Sequence, residues 1–266
     1  MKNSPSSHKK PVTGRTRDLV IAVDRFILWL ARHWAAVFTA GAALYVGLPI
    51  LAPVLMNAGL SGAARTIYTV YSPMCHQMAS RSFFLYGEQP AYPRAVAGTE
   101  LTPIEAYMGD LPLFAGVPLD SYGRDYMDAA RAFLGTPEMG YKMALCERDI
   151  AIYGFVFLAS LLYLVLRRFR PIPALPLWAF LLIGMGPIAL DGFSQLFAQL
   201  AVAAPEQLGF LGEFFPLRES TPFLRTFTGA LFGFALVWFA YPHIEPGMRH
   251  TVEELETKLR KAGVDV

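Results

Sequence analysis

The sequence has little charge and only two cysteines. Charged residues make up 17% of its 266 residues and hydrophobic ones 54%, whereas soluble domains average about 25% charged residues. This composition argues against an ordinary cytosolic enzyme. Two cysteines allow at most one disulfide and exclude a disulfide-rich scaffold. A net charge of only +2 excludes a broad nucleic-acid surface, so we expect no nucleic-acid partner.

Long uncharged windows predict an all-α membrane protein with about four transmembrane helices, because about 20 apolar residues cross a bilayer core. The aromatic residues Trp34, Trp178, Trp238 and Tyr241 lie at the ends of these windows, as expected at the two membrane interfaces. The bilayer is therefore the first expected partner. The predicted spans are residues 34–56, 149–166, 176–198 and 222–241.

Basic residues set the expected orientation. With four spans, the segments 1–33, 167–175 and 242–266 lie on one side and hold 14 Lys or Arg, against 8 on the other side. Cytoplasmic loops carry the excess of Lys and Arg. We therefore expect a plasma-membrane protein with both termini cytoplasmic, and a membrane domain over 34–241 between a cytoplasmic N-terminal segment and tail.

Two further segments have helical patterns without spanning the membrane. Residues 66–87 are apolar but contain Pro73 and Arg81, and counting them as a span would reverse the charge bias. They predict an outer interfacial or half-inserted helix. Residues 17–33 predict an amphipathic helix on the inner surface. Residues 251–262 predict a short solvated helix that begins at a capping box.

The long outer loop, residues 88–147, contains one more predicted helix. Residues 120–134 place apolar and aromatic side chains on one helical stripe, with Asp120 as the N-cap. Because loops of this length are often functional, we expect an ordered cap on the membrane face. Such a cap is where partner proteins of a membrane complex would bind. The stripe consists of Leu119, Tyr122, Tyr126, Ala130 and Phe133.

This topology gathers polar residues on the outer side. Asp191 lies inside the third span, where a carboxylate is unfavourable unless it has a partner or faces water. Asp191 therefore has two interpretations: a structural ion pair with Arg148 or Arg225, or part of a substrate or ion site. Gly229 and Gly233 have the GxxxG spacing of close helix packing. The gathered residues are Cys75, His76, Gln77, Arg81, Cys146, Arg148, Asp149, Asp191, Gln195, Arg218, Glu219 and Arg225.

The two cysteines have three interpretations. On the oxidising side of the membrane, a Cys75–Cys146 disulfide is the simplest. Alternatively, Cys75, His76, Cys146 and Asp149 supply the thiolate, imidazole and carboxylate ligands of a metal site, for which Zn²⁺ is the expected cofactor. Free thiols without a role are the third.

Four sequence blocks resemble a family of prokaryotic membrane proteins catalogued as domain of unknown function 2085. They are CHQMASRSFFLYG (75–87), CERDIAIYG (146–154), LDGFSQ (190–195) and RTFTGALFG (225–233). The resemblance implies a membrane protein and carries no activity. The family's second block has the pattern C-x-R-C, whereas this chain has Cys146 and then Asp149. A dithiol redox couple would lose one sulfur, while zinc accepts a carboxylate.

Three functions follow as hypotheses. In the first, an outward-facing polar pocket binds a metal ion or an anionic lipid-like ligand, with Asp191 or His76 supplying acid–base chemistry. In the second, the chain is a non-catalytic subunit or accessory protein of a membrane complex, with the disulfide as a structural link. Quinone-coupled thiol oxidation is disfavoured, because such a relay needs two cysteine pairs. No motif identifies a reaction. The expected ligand-binding residues are Gln77, Arg81, Arg148, Gln195 and Arg225.

Overall fold

The computed structural model describes residues 14–266, so the first 13 residues of the predicted cytoplasmic segment lie outside the described residues. Helices dominate the fold. They are α1 Arg15–Asn57, α2 Ser61–Tyr71, α3 Glu105–Met108, α4 Arg124–Ala132, α5 Glu147–Leu166, α6 Leu177–Ala179, α7 Gly186–Ala203, α8 Pro205–Leu208, α9 Leu211–Phe214 and α10 Pro222–Lys261. The short strands are β1 Phe84–Leu85, β2 Gly135–Thr136 and β3 Gly140–Lys142.

Four helices among the described residues are long and apolar enough to cross a membrane. They are α1, α5, the continuous helix Leu177–Ala203 and α10. The third contains a π-helical turn, Phe180–Met185, between α6 and α7. Each predicted span overlaps one of these four helices. The prediction of an all-α membrane protein is confirmed, and the helices imply contact with the lipid bilayer.

Helices α1 and α10 extend well beyond one span. They contain 43 and 40 residues, about twice the 20 that a bilayer core requires. Their overhanging ends pack together through ion pairs of Lys258 with Asp24 at 2.7 Å and of Arg32 with Glu256 at 2.8 Å. Residues 17–33 and 251–262 are helical as predicted, but both continue the long helices instead of forming separate ones. No Gly or Pro interrupts α1 before Gly41.

Prolines inside α1 create docking points for its neighbours. Pro49 and Pro53 have no N–H, so the carbonyls four residues earlier lose their helical donors. The Tyr71 hydroxyl donates to the freed carbonyl of Tyr45 at 2.8 Å. The backbone N–H of Ala144 donates to the freed carbonyl of Pro49 at 3.2 Å. The prolines thereby fasten α2 and the start of α5 to this end of α1.

Close packing of α10 against α5 depends on two glycines. A Cβ at Gly229 would lie 2.8 Å from the carbonyl oxygen of Arg148, and one at Gly233 would lie still closer to that of Ile152. Neither position therefore accommodates a side chain without moving a helix. The packing role predicted from the GxxxG spacing is confirmed.

The predicted outer loop and the preceding residues 78–87 form an ordered cap with its own apolar core. Its strands pair antiparallel in the order β1-β3-β2, with Phe84 opposite Lys142. The predicted helix 120–134 is the shorter α4, capped by Gly123, not Asp120. Leu119 is exposed and does not join the core. The core contains Met78, Phe84, Tyr92, Ile104, Met108, Phe114, Tyr126, Ala130, Phe133 and Met139.

Residues 66–87 do not form the single helix that the apolar pattern predicted. Helix α2 ends at Tyr71, because the residues before Pro73 are restricted from continuing a helix. Gln77 has a left-handed backbone (φ 52°), which further breaks helical geometry. A short 3₁₀ turn, Ala79–Arg81, and β1 follow. Cys75, His76 and Gln77 therefore lie on a loop.

Candidate functional site

A polar cavity of about 440 Å³ lies at the end of the helical bundle that carries the cap. Its walls come from the loop after α2, the first turn of α5, the middle of α7 and the start of α10. The expected polar residues thus meet around one space. The cavity is lined by Met74, Cys75, His76, Gln77, Met78, Arg81, Cys146, Arg148, Asp149, Gly192, Gln195, Leu196, Gln199 and Arg225.

Hydrogen bonds from both sides fix the loop that carries Cys75. The Gln77 side-chain amide donates to the carbonyls of Tyr68 and Ala144, each at 2.9 Å. The Lys142 ammonium donates to the carbonyl of Gln77 and, at 2.8 Å, to that of Arg131. Gln77 was expected to bind ligand. Its side-chain amide nitrogen instead donates to two backbone carbonyls and so stabilises the loop.

Cys75, Cys146 and Asp149 form a compact cluster at the cavity wall. One ligand atom from each lies within 4.8 Å of the other two. Cys146 immediately precedes α5 and Asp149 lies in its first turn, so the spacing of three residues brings both to Cys75. We call these three residues the thiol–carboxylate cluster. Within residues 14–266, His76 is not part of it, so the structure does not bring the fourth expected metal ligand to the other three.

Both cysteines are free thiols, and their environments differ. Cys75 Sγ accepts the backbone N–H of Cys146 at 3.3 Å and that of Gln77 at 3.5 Å. A hydrogen bond from the Cys146 thiol, together with these donors, lowers the pKa of Cys75. Donating that bond and being buried raise the pKa of Cys146. Cys75 is therefore the more acidic thiol of the pair.

Lys142 is a buried cation next to this loop, and the sequence did not single it out. Lys142 is 0% exposed, and this burial lowers the pKa of its ammonium group to about 7. Tyr141 precedes it in β3, and Met143 follows the end of the strand. A lysine in a short amphipathic strand is usually solvated, so no local signal distinguishes this one. Its contacts with backbone carbonyls identify it as a structural support of the loop.

Asp191 is buried in a network of donors. It forms ion pairs with Arg148 and, at 3.0 Å, with Arg218. The Ser220 hydroxyl donates to it at 2.8 Å, and the Gln195 amide donates to its backbone carbonyl at 2.9 Å. The structural pair with Arg148 is thus present. Asp191 and Gln195 were candidate catalytic and ligand-binding residues, but their polar atoms are engaged by the protein.

Arg225 belongs to a second buried network and does not contact Asp191. Its guanidinium pairs with Glu147 at 3.1 Å and with Glu219 at 2.9 Å. Arg81 also pairs with Glu219, at 2.6 Å. Glu147 was not predicted as a partner of Arg225. An acidic residue in the first turn of a helix interacts favourably with the helix dipole, so its presence there does not indicate an ion pair.

Together the two networks contain more positive than negative groups. Four guanidiniums, from Arg81, Arg148, Arg218 and Arg225, face the carboxylates of Asp191, Glu147 and Glu219. The side chains of Arg81 and Arg148 are 28% and 23% exposed at the cavity wall. Arg225 is only 3% exposed. Of the three expected anion-binding arginines, Arg81 and Arg148 are accessible.

A second cavity of about 760 Å³ lies between α7 and the cap. We call it the cap cavity. His76 lies on its wall and on that of the polar cavity, and it is exposed. The cap cavity is lined by His76, Met78, Arg81, Arg94, Asp120, Tyr122, Gly123, Tyr126, Met127, Leu196, Gln199, Leu200, Val202, Ala203, Leu217 and Glu219.

Comparison with known proteins identifies relatives without an assigned activity. An uncharacterised protein of Methanocaldococcus jannaschii is 24% identical over 176 residues, which cover 66% of this chain and 67% of that protein. No solved structure matches the chain. Residues 137–239 match the model of the family described as predicted membrane protein (DUF2085). The family resemblance predicted from the sequence is therefore confirmed, with Cys146, Asp149 and Asp191 inside the matched region and Cys75 outside it.

Proposed function

We propose that this protein is a plasma-membrane protein whose polar cavity opens on the outer side and binds a divalent metal ion next to an anionic ligand. Zn²⁺ is the metal proposed, with Cys75, Cys146 and Asp149 as its protein ligands. The observation that carries the proposal is the convergence of these three side chains, with their ligand atoms within 4.8 Å, at the wall of a cavity.

The donor set is suited to zinc. Thiolate sulfur binds Zn²⁺ at about 2.3 Å and carboxylate oxygen at about 2.0 Å, so ligands of one ion lie less than about 4.6 Å apart. The ligand atoms of the thiol–carboxylate cluster all lie within 4.8 Å of one another. Three protein ligands would leave a fourth position for water or ligand, as in catalytic zinc sites. The adjoining polar cavity would give access to that position.

The family pattern also favours a metal over a dithiol. Where the pattern has its second cysteine, this chain has Asp149, and that position lies within the cluster. A carboxylate can replace a thiolate as a zinc ligand but cannot take part in thiol–disulfide exchange. The substitution therefore keeps a three-ligand metal site and removes one sulfur from a redox site.

Arg81 and Arg148 are the proposed anion-binding residues. Guanidinium groups bind phosphate and carboxylate through charge-assisted hydrogen bonds, and these two are the partly exposed ones at the cavity wall. His76 is the remaining candidate for acid–base chemistry, because Asp191 is enclosed by two guanidiniums. We assign no reaction.

The metal content of the purified full-length protein tests the proposal. Elemental analysis should find close to one zinc per wild-type chain. Cys75→Ser and Cys146→Ser should each lose it, as should Asp149→Ala. Asp149→Cys restores the family's pattern and should keep the zinc, since both side chains are ligands. Asp128→Asn, at an exposed cap position, is the matched control.

Two results would overturn the metal site. One is a wild-type protein without stoichiometric metal after growth in zinc-supplemented medium. The other is a Cys75–Cys146 disulfide in the isolated protein, detected by the absence of reactive thiols before reduction. The second result would favour the alternative of a non-catalytic subunit or accessory protein of a membrane complex. In that case, deleting cap residues should remove copurifying partners without changing metal content.

A further inference from the structure

We infer that the polar cavity and the cap cavity together bind one anionic amphiphile, with its phosphate or carboxylate headgroup in the polar cavity and its alkyl chain in the cap cavity. The inference rests on the anion-binding role proposed above for Arg81 and Arg148, and it names the class of ligand. It does not depend on the metal.

The first argument is that the two cavities adjoin each other. With volumes of about 440 and 760 Å³, both lie in the range of ligand pockets, roughly 300–1,000 Å³. They share side chains from the loop after α2 and from one face of α7, so a ligand in one is in contact with the wall of the other. The shared residues are His76, Met78, Arg81, Leu196 and Gln199.

The second argument is the apolar wall of the cap cavity. Met78 and Met127 line it from the cap side, and thioether side chains adapt to irregular apolar ligands. Leu196, Leu200 and Val202 line it from the helix Leu177–Ala203, one of the candidate membrane spans. Leu196 and Val202 are 46% and 50% exposed. This helix therefore offers an alkyl chain an apolar surface inside the cap cavity.

The third argument is the positive charge at the polar cavity, where the headgroup would lie. The buried networks contain four guanidiniums for three carboxylates, and of these four, Arg81 and Arg148 are the partly exposed ones that line the polar cavity. The Nε atom of Arg148 is buried and, within residues 14–266, has no hydrogen-bond partner. Asp149 also lines this cavity, but it lies with the two thiols. An anionic headgroup would bind to the exposed parts of the Arg81 and Arg148 guanidiniums.

Binding of dodecyl phosphate to the full-length protein tests the inference. The protein is placed in phosphatidylcholine nanodiscs, and bound ligand is counted by native mass spectrometry. We expect one dodecyl phosphate per chain. Arg81→Gln removes the charge shared by both cavities and should weaken binding roughly ten-fold. Arg124→Gln removes an exposed cap arginine and should leave binding unchanged.

A second pair of variants tests the chain cavity. Leu200→Trp fills the cap cavity and should also weaken binding of dodecyl phosphate roughly ten-fold, because it removes the space for the alkyl chain. Leu190→Trp, at a position 75% exposed on the same helix, is the control. Leu196→Trp replaces Leu200→Trp if that variant does not fold. Zinc content should be the same in all these variants, so failure of this inference is distinct from failure of the metal site.

Three outcomes would overturn the inference. If dodecanol binds as well as dodecyl phosphate, the headgroup has no role. If inorganic phosphate competes fully and Leu200→Trp has no effect, the site binds a free anion and not an amphiphile. If neither Arg81→Gln nor Leu200→Trp weakens binding, the ligand lies elsewhere on the protein.

Discussion

At the residue scale, the proposed metal site depends on Cys75 being the more acidic thiol of its pair. Two backbone N–H groups and the thiol of Cys146 point at its sulfur. The Gln77 donor is fixed by the left-handed backbone of Gln77, whose carbonyl accepts a hydrogen bond from Lys142. The thiolate is the form of cysteine that reacts as a nucleophile and binds metal, and these donors favour that form at Cys75.

The first prediction concerns the reactivity of the two thiols. In metal-free protein at pH 7.5, iodoacetamide should modify Cys75 roughly ten times faster than Cys146, because only the thiolate reacts and the pKa of Cys75 is the lowered one. Peptide mass spectrometry measures both rates. Added Zn²⁺ should protect both cysteines. Equal rates, or a faster Cys146, would contradict the assignment.

The second prediction concerns Asp191. Its carboxylate neutralises Arg148 and Arg218, and removing one partner of a buried ion pair destabilises a protein by about 3–5 kcal/mol. Asp191→Asn should therefore lower the thermal midpoint measured in detergent while leaving zinc content unchanged. Asp128→Asn, on the exposed face of α4, controls for loss of an acidic residue. Loss of zinc with an unchanged thermal midpoint would place Asp191 in the metal site.

At the scale of elements, freed carbonyls and glycines join the helices. Pro242 in α10 leaves the carbonyl of Trp238 without its helical donor. The backbone N–H of Leu175 donates to it at 3.1 Å, just as Ala144 does to the carbonyl freed by Pro53 in α1. These prolines attach connecting segments to the long helices. Proline in a span is therefore a contact site here as well as a potential kink.

The third prediction concerns the contact between α5 and α10. Gly233→Ala places a methyl group against the carbonyl of Ile152, and overpacking of this kind destabilises proteins by about 1–3 kcal/mol. The thermal midpoint should fall. Gly247→Ala, in the same helix but with no atom within 4 Å of the added methyl, should be neutral or slightly stabilising. Equal effects of the two substitutions would contradict the packing role.

Sequence patterns predicted the long elements better than the short ones. The four spans follow from uncharged windows, since a bilayer requires length and apolarity that few other structures share. The loop at Cys75–Gln77 was predicted as a helix, because the apolar pattern of residues 66–87 was given more weight than the helix-ending effect of Pro73. The pairing of Arg225 with Glu147 was missed for a different reason. Topology predicts the depth of a side chain, but not which of several equidistant partners it contacts.

At the scale of the whole molecule, the account depends on which side of the membrane the cap occupies. The fourth prediction is that Asp128→Cys, in the cap, reacts with an impermeant maleimide on intact cells, in a background with both native cysteines replaced by serine. Glu253→Cys, near the end of α10, should react only after permeabilisation. The reason is the excess of Lys and Arg in the segments assigned to the cytoplasm. The reverse labelling pattern would contradict the outward-facing cavity.

Both halves of the proposed site lie in one region of this molecule. The thiol–carboxylate cluster lies on one wall of the polar cavity, and the cap cavity adjoins it through five shared residues. Metal, anionic headgroup and alkyl chain would thus be held by the loop after α2 and by the helices α5 and α7. A ligand taken from the bilayer would meet the metal at the membrane surface.

Zinc K-edge X-ray absorption of the purified wild-type protein tests the central claim most directly. The account predicts a first coordination shell with two sulfur atoms at about 2.3 Å and lighter atoms at about 2.0 Å, from Cys75, Cys146, Asp149 and one further ligand. Asp149→Cys should raise the sulfur number to three. A shell of nitrogen and oxygen without sulfur would contradict the account, because it would place the metal away from the two cysteines.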